Sequence, residues 1–272
     1  MRKKILAGIF LLLILTAWLL WANTALEVNT FVMESEKLPA SFDGFRIAQV
    51  SDLHNAGFWP DVVEELRKIE PDAIVLTGDL IDSGKTDVDA ALAFGSQAAK
   101  IAPTYFVSGN HEAWSPAHWE SLREGLERTG IILLENEKVS LELGGERLTL
   151  LGLSDPAFGA DAARSLETLA AGEGYTVLLS HRPEFFALYE EMGIDLVFSG
   201  HAHGGQFRIP FLGGVIAPDQ GFFPEYDSGL YERNGTAMLV SRGIGNSIIP
   251  LRVNNRPELI LAELKVPVGI SE

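Results

Sequence analysis

Five of the six histidines in this 272-residue chain lie in short clusters shared with aspartate and asparagine. The clusters are Ser51-Asp52-Leu53-His54, Gly78-Asp79-Leu80-Ile81-Asp82, Gly109-Asn110-His111-Glu112, Ser180-His181 and Gly200-His201-Ala202-His203-Gly204-Gly205. Only His118 stands apart. One histidine at a strand end is ordinarily a structural residue whose hydrogen bonds are met. Five of them, together with Asp52, Asp79 and Asn110, are not called for by core stability, and burying them unpaired is costly. Neutral imidazole nitrogens with carboxylate and amide oxygens suit Zn²⁺, Mn²⁺ or Fe²⁺. Roughly eight such groups exceed the needs of one tetrahedral ion and suffice for two ions sharing a bridge. Two ions about 3.5–4 Å apart are a common device for displacement at phosphorus. The chain has no cysteine, which excludes disulfides, thiolate metal sites and a cysteine nucleophile.

Each cluster follows a short apolar run, at residues 45–50, 73–77, 104–107, 176–179 and 195–198. Such runs predict buried strands. Helical patterns lie between the first three, over 61–69 behind Pro60 and over 87–100. Strands alternating with helices predict βαβ units and a largely parallel sheet. Ligands of such sheets bind at the carboxyl ends of the strands, so all five clusters are expected on one edge. A second strand-rich stretch covers 131–134, 139–143 and 147–153, with Gly144-Gly145 as a hairpin turn. Further strands are expected at 238–241 and 258–264. There is no internal repeat, and residues 44–272 read as one α/β domain.

Ahead of that domain, residues 5–22 carry no charge and the uncharged run extends to Leu26. At about 1.5 Å per residue such a run matches the bilayer core. Residues 1–26 are therefore expected to be a transmembrane anchor and 27–43 a tether. A signal peptide would need small residues at its cleavage site, and neither Leu20-Trp21-Ala22 nor Asn23-Thr24-Ala25 fits well. Arg2, Lys3 and Lys4 precede the run, so the positive-inside rule puts the N-terminus in the cytoplasm and the domain outside. Hydrophobic residues make up 47% of the chain and charged ones 21%, the composition of a globular protein. The net charge is −16, and three of the 21 basic residues sit before the anchor. So acidic a body repels a polyanionic backbone, and no nucleic-acid partner is expected.

The five clusters, in order, resemble the motif set of the calcineurin-like metallophosphoesterases. Gly204-Gly205-Gln206, Ser241-Arg242-Gly243-Ile244-Gly245 and Pro257-Glu258 further resemble its membrane-anchored bacterial branch. That branch includes YkuE- and YaeI-type phosphodiesterases and UDP-diacylglucosamine pyrophosphohydrolases. The resemblance implies a four-layer αββα sandwich. It implies one ion on Asp52, His54, Asp79 and His203, and a second on Asp79, Asn110, His181 and His201. Asp79 is then the bridging carboxylate. His111 is implied as a substrate-facing residue that stabilises the transition state or protonates the leaving oxygen, held by Asp82. Ala202 replaces a threonine common in this branch, without loss of a ligand.

The chemistry expected is attack on phosphorus by a hydroxide held between the two ions, with no phosphoenzyme. A single Zn²⁺ can lower the pKa of a bound water from 15.7 to about 7. The function expected is that of a dinuclear-metal-dependent phosphodiesterase at the membrane, acting on a phosphate ester that is lipid-linked by proximity. The alternatives are a UDP-diacylglucosamine-type pyrophosphohydrolase, a phosphomonoesterase and, last, a non-catalytic metal-binding scaffold. Glu112 reads as a structural acid. His118, Trp114 and Trp119 read as surface packing or a lid, and Phe222-Phe223-Pro224 as core or a lipid contact. Arg208, Arg242 and Arg252 read as solvated surface rather than phosphate contacts.

Overall fold

A computed structural model describes residues 2–170, 174–246 and 249–267 of the chain. It opens with α1 (Arg2–Ala22) and β1 (Glu27–Glu34). Next come β2 (Arg46–Val50), α2 (Trp59–Ile69), β3 (Ala73–Thr77), α3 (Val88–Ala98), β4 (Thr104–Val107), α4 (Pro116–Thr129) and β5 (Ile132–Leu133). The second half has β6 (Glu137–Leu143), β7 (Glu146–Leu153), α5 (Ala162–Leu169), β8 (Thr176–Ser180), α6 (Phe186–Glu191) and β9 (Leu196–Ser199). It ends with β10 (Gly229–Arg233), β11 (Thr236–Val240) and β12 (Glu258–Lys265).

These strands form two six-stranded mixed sheets, β1-β12-β2-β3-β4-β5 and β10-β11-β9-β8-β7-β6. The apolar runs are continuous because both faces of each sheet are covered. Side chains alternate across a strand. Ile47, Val75, Val177 and Phe198 point between the sheets, while Ala48, Ile74 and Leu76 meet the helices outside the first sheet. Leu178 and Val197 pack outside the second, against α5 and α6. The result is the expected four layers, αββα. Local signals start the helices: the Asp87 carboxylate accepts the Ala90 N–H at 3.0 Å, and Pro60 stands in the first turn of α2. Gly144 and Gly145 turn between β6 and β7 with φ of 60° and 84°, the left-handed backbone glycine supplies without strain.

The expected tether at 27–43 is corrected by the structure. Residues 27–34 are β1, paired in parallel with β12 from Glu27↔Glu258 to Glu34↔Lys265. An edge strand needs only one apolar face, and Glu-Val-Asn-Thr-Phe-Val-Met-Glu mixes charge into both ends, so it reads as a linker.

Preceding β1, α1 is apolar on every side and long enough to cross a bilayer. Its last turn meets the domain. The Asn23 side chain donates to the Arg252 carbonyl at 3.1 Å and accepts the Arg252 N–H at 2.7 Å. The Arg256 guanidinium donates to the carbonyls of Ala25 and Leu26 and lies over the Trp21 ring at 5.1 Å.

Candidate metal centre

Every cluster singled out in the sequence lies where a strand gives way to its loop. Asp52 and His54 follow β2, Asp79 and Asp82 follow β3, and Asn110 and His111 follow β4. His181 follows β8, and His201 and His203 follow β9. The clusters therefore belong to two sheets and meet where the strand ends face each other. Gln49, buried between the sheets, donates to Thr77 Oγ1 at 2.9 Å and to the Ser199 carbonyl at 2.8 Å, tying the two edges together.

Asp52, His54, Asp79, His201 and His203 all have positive φ, between 42° and 65°. Non-glycine residues rarely adopt such backbone, and clusters of them mark functional sites. The loops also pack without room to spare. A Cβ on Gly200 would overlap Ser51 Oγ, and one on Gly109 would overlap the Asp79 carboxylate.

The side chains converge in two groups. His54 Nε2 lies 3.2 Å from His203 Nε2, and His203 Nε2 lies 3.4 Å from Asp52 Oδ1. His181 Nε2 lies 3.1 Å from His201 Nδ1 and 3.1 Å from Asn110 Oδ1. Asp79 Oδ2 faces both groups, 3.5 Å from His54 Nε2 and 3.2 Å from His181 Nε2. All seven residues are buried. The two pairs of imidazole nitrogens, 3.2 and 3.1 Å apart among buried carboxylates, can share a proton between rings or turn both lone pairs to a cation. This N/O donor set fits divalent metal ions. Asp52-His54-His203 and Asp79-His181-His201 each bring their ligand atoms within reach of one ion. His111 forms such a group as well, with His54 and Asp79.

Neighbouring groups set the rings. His181 Nδ1 donates to the Thr77 carbonyl at 2.7 Å, so that a neutral ring would carry its lone pair at Nε2, on the side of Asp79. Burial, the largest influence on His181, favours the neutral ring, yet Asp79 and Asp52 push its pKa up to about 10. Burial raises the Asp79 pKa too, and the surrounding histidines, His181 first, outweigh it and hold the carboxyl well below its usual range. Burial holds His203 down at about 3. The negative field of the carboxylates thus favours a cation at the centre.

Glu112 accepts the N–H groups of Asp79, Gly109 and Ile81 at 2.8, 2.8 and 3.2 Å, locking the loops after β3 and β4 together. It is the structural acid expected. His111 meets Ser83 as well as Asp82. Its Nδ1 accepts the Ser83 N–H at 2.9 Å, while Asp82 Oδ2 is 3.7 Å from it and closer, at 3.4 Å, to His54 Nδ1. The backbone turn at Ser83 reaches the ring before the Asp82 carboxylate does. Asp82 is held at about 2, chiefly by its contact with His54.

Several residues at the site carry no sequence signal. Arg182 is buried, forks onto Asp155 at 2.6 and 3.0 Å, and also pairs with Asp219. Asp219 Oδ2 lies 2.9 Å from His201 Nε2, the ring nitrogen facing away from His181. Arg252 is 1% exposed, not solvated, with Nη2 3.4 Å from His203 Nδ1. Arg242 pairs with Glu27 and Glu258, and Arg208 with Asp227. His118 is exposed. Trp119 packs against Phe106 and Phe158, and the Trp114 ring stands 5.2 Å from His111.

Two facing sheets with buried histidines and carboxylates at their loop ends define a metal-dependent hydrolase scaffold. The chain belongs to the calcineurin-like phosphoesterase family, whose model matches residues 45–205. Divalent metal ions and phosphate-ester hydrolysis come with that membership. The metallophosphoesterase YkuE of Bacillus subtilis, itself uncharacterized, is 29% identical over 250 residues, covering 88% of this chain and 86% of its own. Phosphodiesterase YaeI of Escherichia coli is 29% identical over 243 residues, 81% of this chain and 82% of its own. A transmembrane protein with metallophosphoesterase domain from Danio rerio is 30% identical and covers 97% of this chain and 63% of its own. The phosphopantetheinyl hydrolase PptH of Mycobacterium tuberculosis shares the fold, with a TM-score of 0.50 at 15% identity over 74% of this chain and 91% of that one.

Proposed function

We propose that this protein is a dinuclear-metal-dependent phosphodiesterase anchored by residues 1–26, with one catalytic domain that runs from β1 to the C-terminus. One ion is held by Asp52, His54, Asp79 and His203, the other by Asp79, Asn110, His181 and His201. The observation that carries this reading is Asp79 Oδ2, which faces His54 Nε2 at 3.5 Å and His181 Nε2 at 3.2 Å. A carboxylate in that position can join two ions. When bound, divalent ions such as Mn²⁺, Zn²⁺ or Fe²⁺ supply an activated water and charge neutralisation at phosphorus.

The chain does the rest. The Thr77 carbonyl fixes the tautomer of His181. Glu112 holds Asp79 and Asn110 in register by binding the backbone beside them. His111 accepts the Ser83 N–H at Nδ1, so a neutral ring carries its proton at Nε2 and can donate it to the leaving oxygen. Preference for a diester is supported by the name of YaeI. A lipid-linked substrate is supported by α1, which keeps the site beside the bilayer.

The test is hydrolysis by the detergent-solubilised full chain, stripped of metal and resupplied with Mn²⁺ or Zn²⁺. Bis-p-nitrophenyl phosphate is expected to turn over faster than p-nitrophenyl phosphate, and Asp79→Asn is expected to abolish both. The reverse ranking makes the protein a phosphomonoesterase. No turnover of either by a metal-loaded chain returns the scaffold reading.

A further inference from the structure

Two hairpins of two-residue strands follow His203 and carry large apolar side chains into solvent. The first joins Arg208–Ile209 to Gly213–Gly214, with Phe211 and Leu212 at its turn. The second joins Ile216–Ala217 to Gly221–Phe222, with Phe223 just beyond. Phe211 is fully exposed, and Leu212, Phe222 and Phe223 are 68%, 73% and 63% exposed. Val215 links the hairpins and extends both ladders, its N–H donating to the Phe207 carbonyl at 2.8 Å and its carbonyl accepting the Phe223 N–H at 2.8 Å. Exposed aromatics gathered in this way mark an interaction surface.

What covers them follows from where α1 leaves the domain. Asn23 is bonded to both backbone groups of Arg252, and Arg252 touches His203. The next residue, Val253, accepts the Arg208 N–H at 3.0 Å at the base of the first hairpin. On the other side, Asp219 touches His201 and lies three residues before Phe222, within about 11 Å even if the chain is extended. The end of the bilayer-length helix is thus one residue, Arg252, from His203, and Phe222 is three residues from Asp219, which touches His201 in the same histidine cluster.

We propose that Phe211, Leu212, Phe222 and Phe223 seat in the lipid interface next to the exit of α1, so that the metal centre opens onto the membrane surface at headgroup depth. The inference rests on reading α1 as a bilayer span. The contact is apolar: the acidic body gains nothing from anionic lipid, and the aromatic rings sit at the level where such side chains anchor in membranes. Phosphate esters carried by lipid are then the substrates within reach.

The absence of cysteine makes the test direct. Phe211→Cys, Phe222→Cys, Leu12→Cys within α1 and Leu143→Cys at the opposite end of the sandwich are each labelled with a fluorophore. The full chain is placed in phosphatidylcholine nanodiscs. Labels at 211 and 222 are expected to be quenched by spin-labelled lipid and shielded from iodide, like the label at 12 and unlike that at 143. Iodide access at 211 and 222 equal to that at 143 overturns the proposal, and a lipid-quenched label at 12 then shows that the anchor itself stands. Phe222→Asp added to the labelled Phe211→Cys chain is expected to raise iodide access at 211 severalfold. No change there would mean that the aromatic tips do not hold the surface. None of these readouts needs turnover, so their failure leaves the phosphodiesterase reading intact.

Discussion

His111 and Asp219 touch the metal-capable cluster from opposite sides and do different work. If His111 donates a proton and binds no ion, His111→Ala lowers turnover about 100-fold or more, the range of general acid catalysis, with metal content unchanged by elemental analysis. Loss of an ion in that variant would make His111 a ligand, as its grouping with His54 and Asp79 allows. Asp219 works through His201. With an ion on Nδ1 of His201, Nε2 would carry the proton and Asp219 Oδ2, 2.9 Å away, would accept it. Arg182 Nη1, 3.0 Å from the same nitrogen, would then turn to Asp219, with which it also pairs. Asp219→Ala is expected to weaken one of the two metal sites about 10–100-fold, read by metal titration, and to move the proton between the His201 nitrogens in ¹⁵N spectra. An unchanged tautomer would leave Asp219 a surface residue.

At the scale of elements, the site exists because strands end where they do. Each buried strand delivers its metal-capable residues within a few positions of its end, and those after β2, β3 and β9 stand on left-handed backbone that the opposing loops hold. The ligand motifs were legible because short, dense clusters of chemistry-bearing residues interrupt apolar runs. Arg182, Asp219 and Arg252 were not, because each reaches the site from a loop whose spacing to its partner is set by folding: Asp219 stands 18 residues from His201, in the turn of the second hairpin with the first between. β1 was missed for the reason edge strands generally are, having one buried face and mixed polarity. A chain starting at residue 35 is expected to expose the β12 edge and lose stability or solubility relative to one starting at residue 24, by thermal melt and sedimentation. Equal behaviour would make 27–34 the dispensable tether its sequence suggests.

For the whole molecule, two measurements follow from charge and anchorage. The carboxylates and imidazoles come from loops that only folding brings together, so metal binds the folded state selectively. Chelation is expected to lower the melting temperature, and ion at 100 times its Kd to restore about 2.7 kcal/mol. A melt indifferent to metal would contradict a centre inside the fold. If Arg2, Lys3 and Lys4 keep the N-terminus in the cytoplasm, a C-terminal fusion to a reporter active only outside it should be active. Activity of a cytoplasm-only reporter would reverse the topology.

Family resemblance implied the four layers; the sequence alone determined the strands that end in histidine, aspartate and asparagine clusters, and the apolar N-terminal run. These are local properties: periodicity, residue chemistry and spacing within a few positions survive in one dimension. Only the tertiary structure decided which histidines face each other, that Ser83 donates to Nδ1 of His111, that Arg252 is buried against His203, and that α1 ends beside the histidine cluster. Each of these depends on two segments far apart in the chain meeting at a few ångströms, and that distance is set by how the sheets pack.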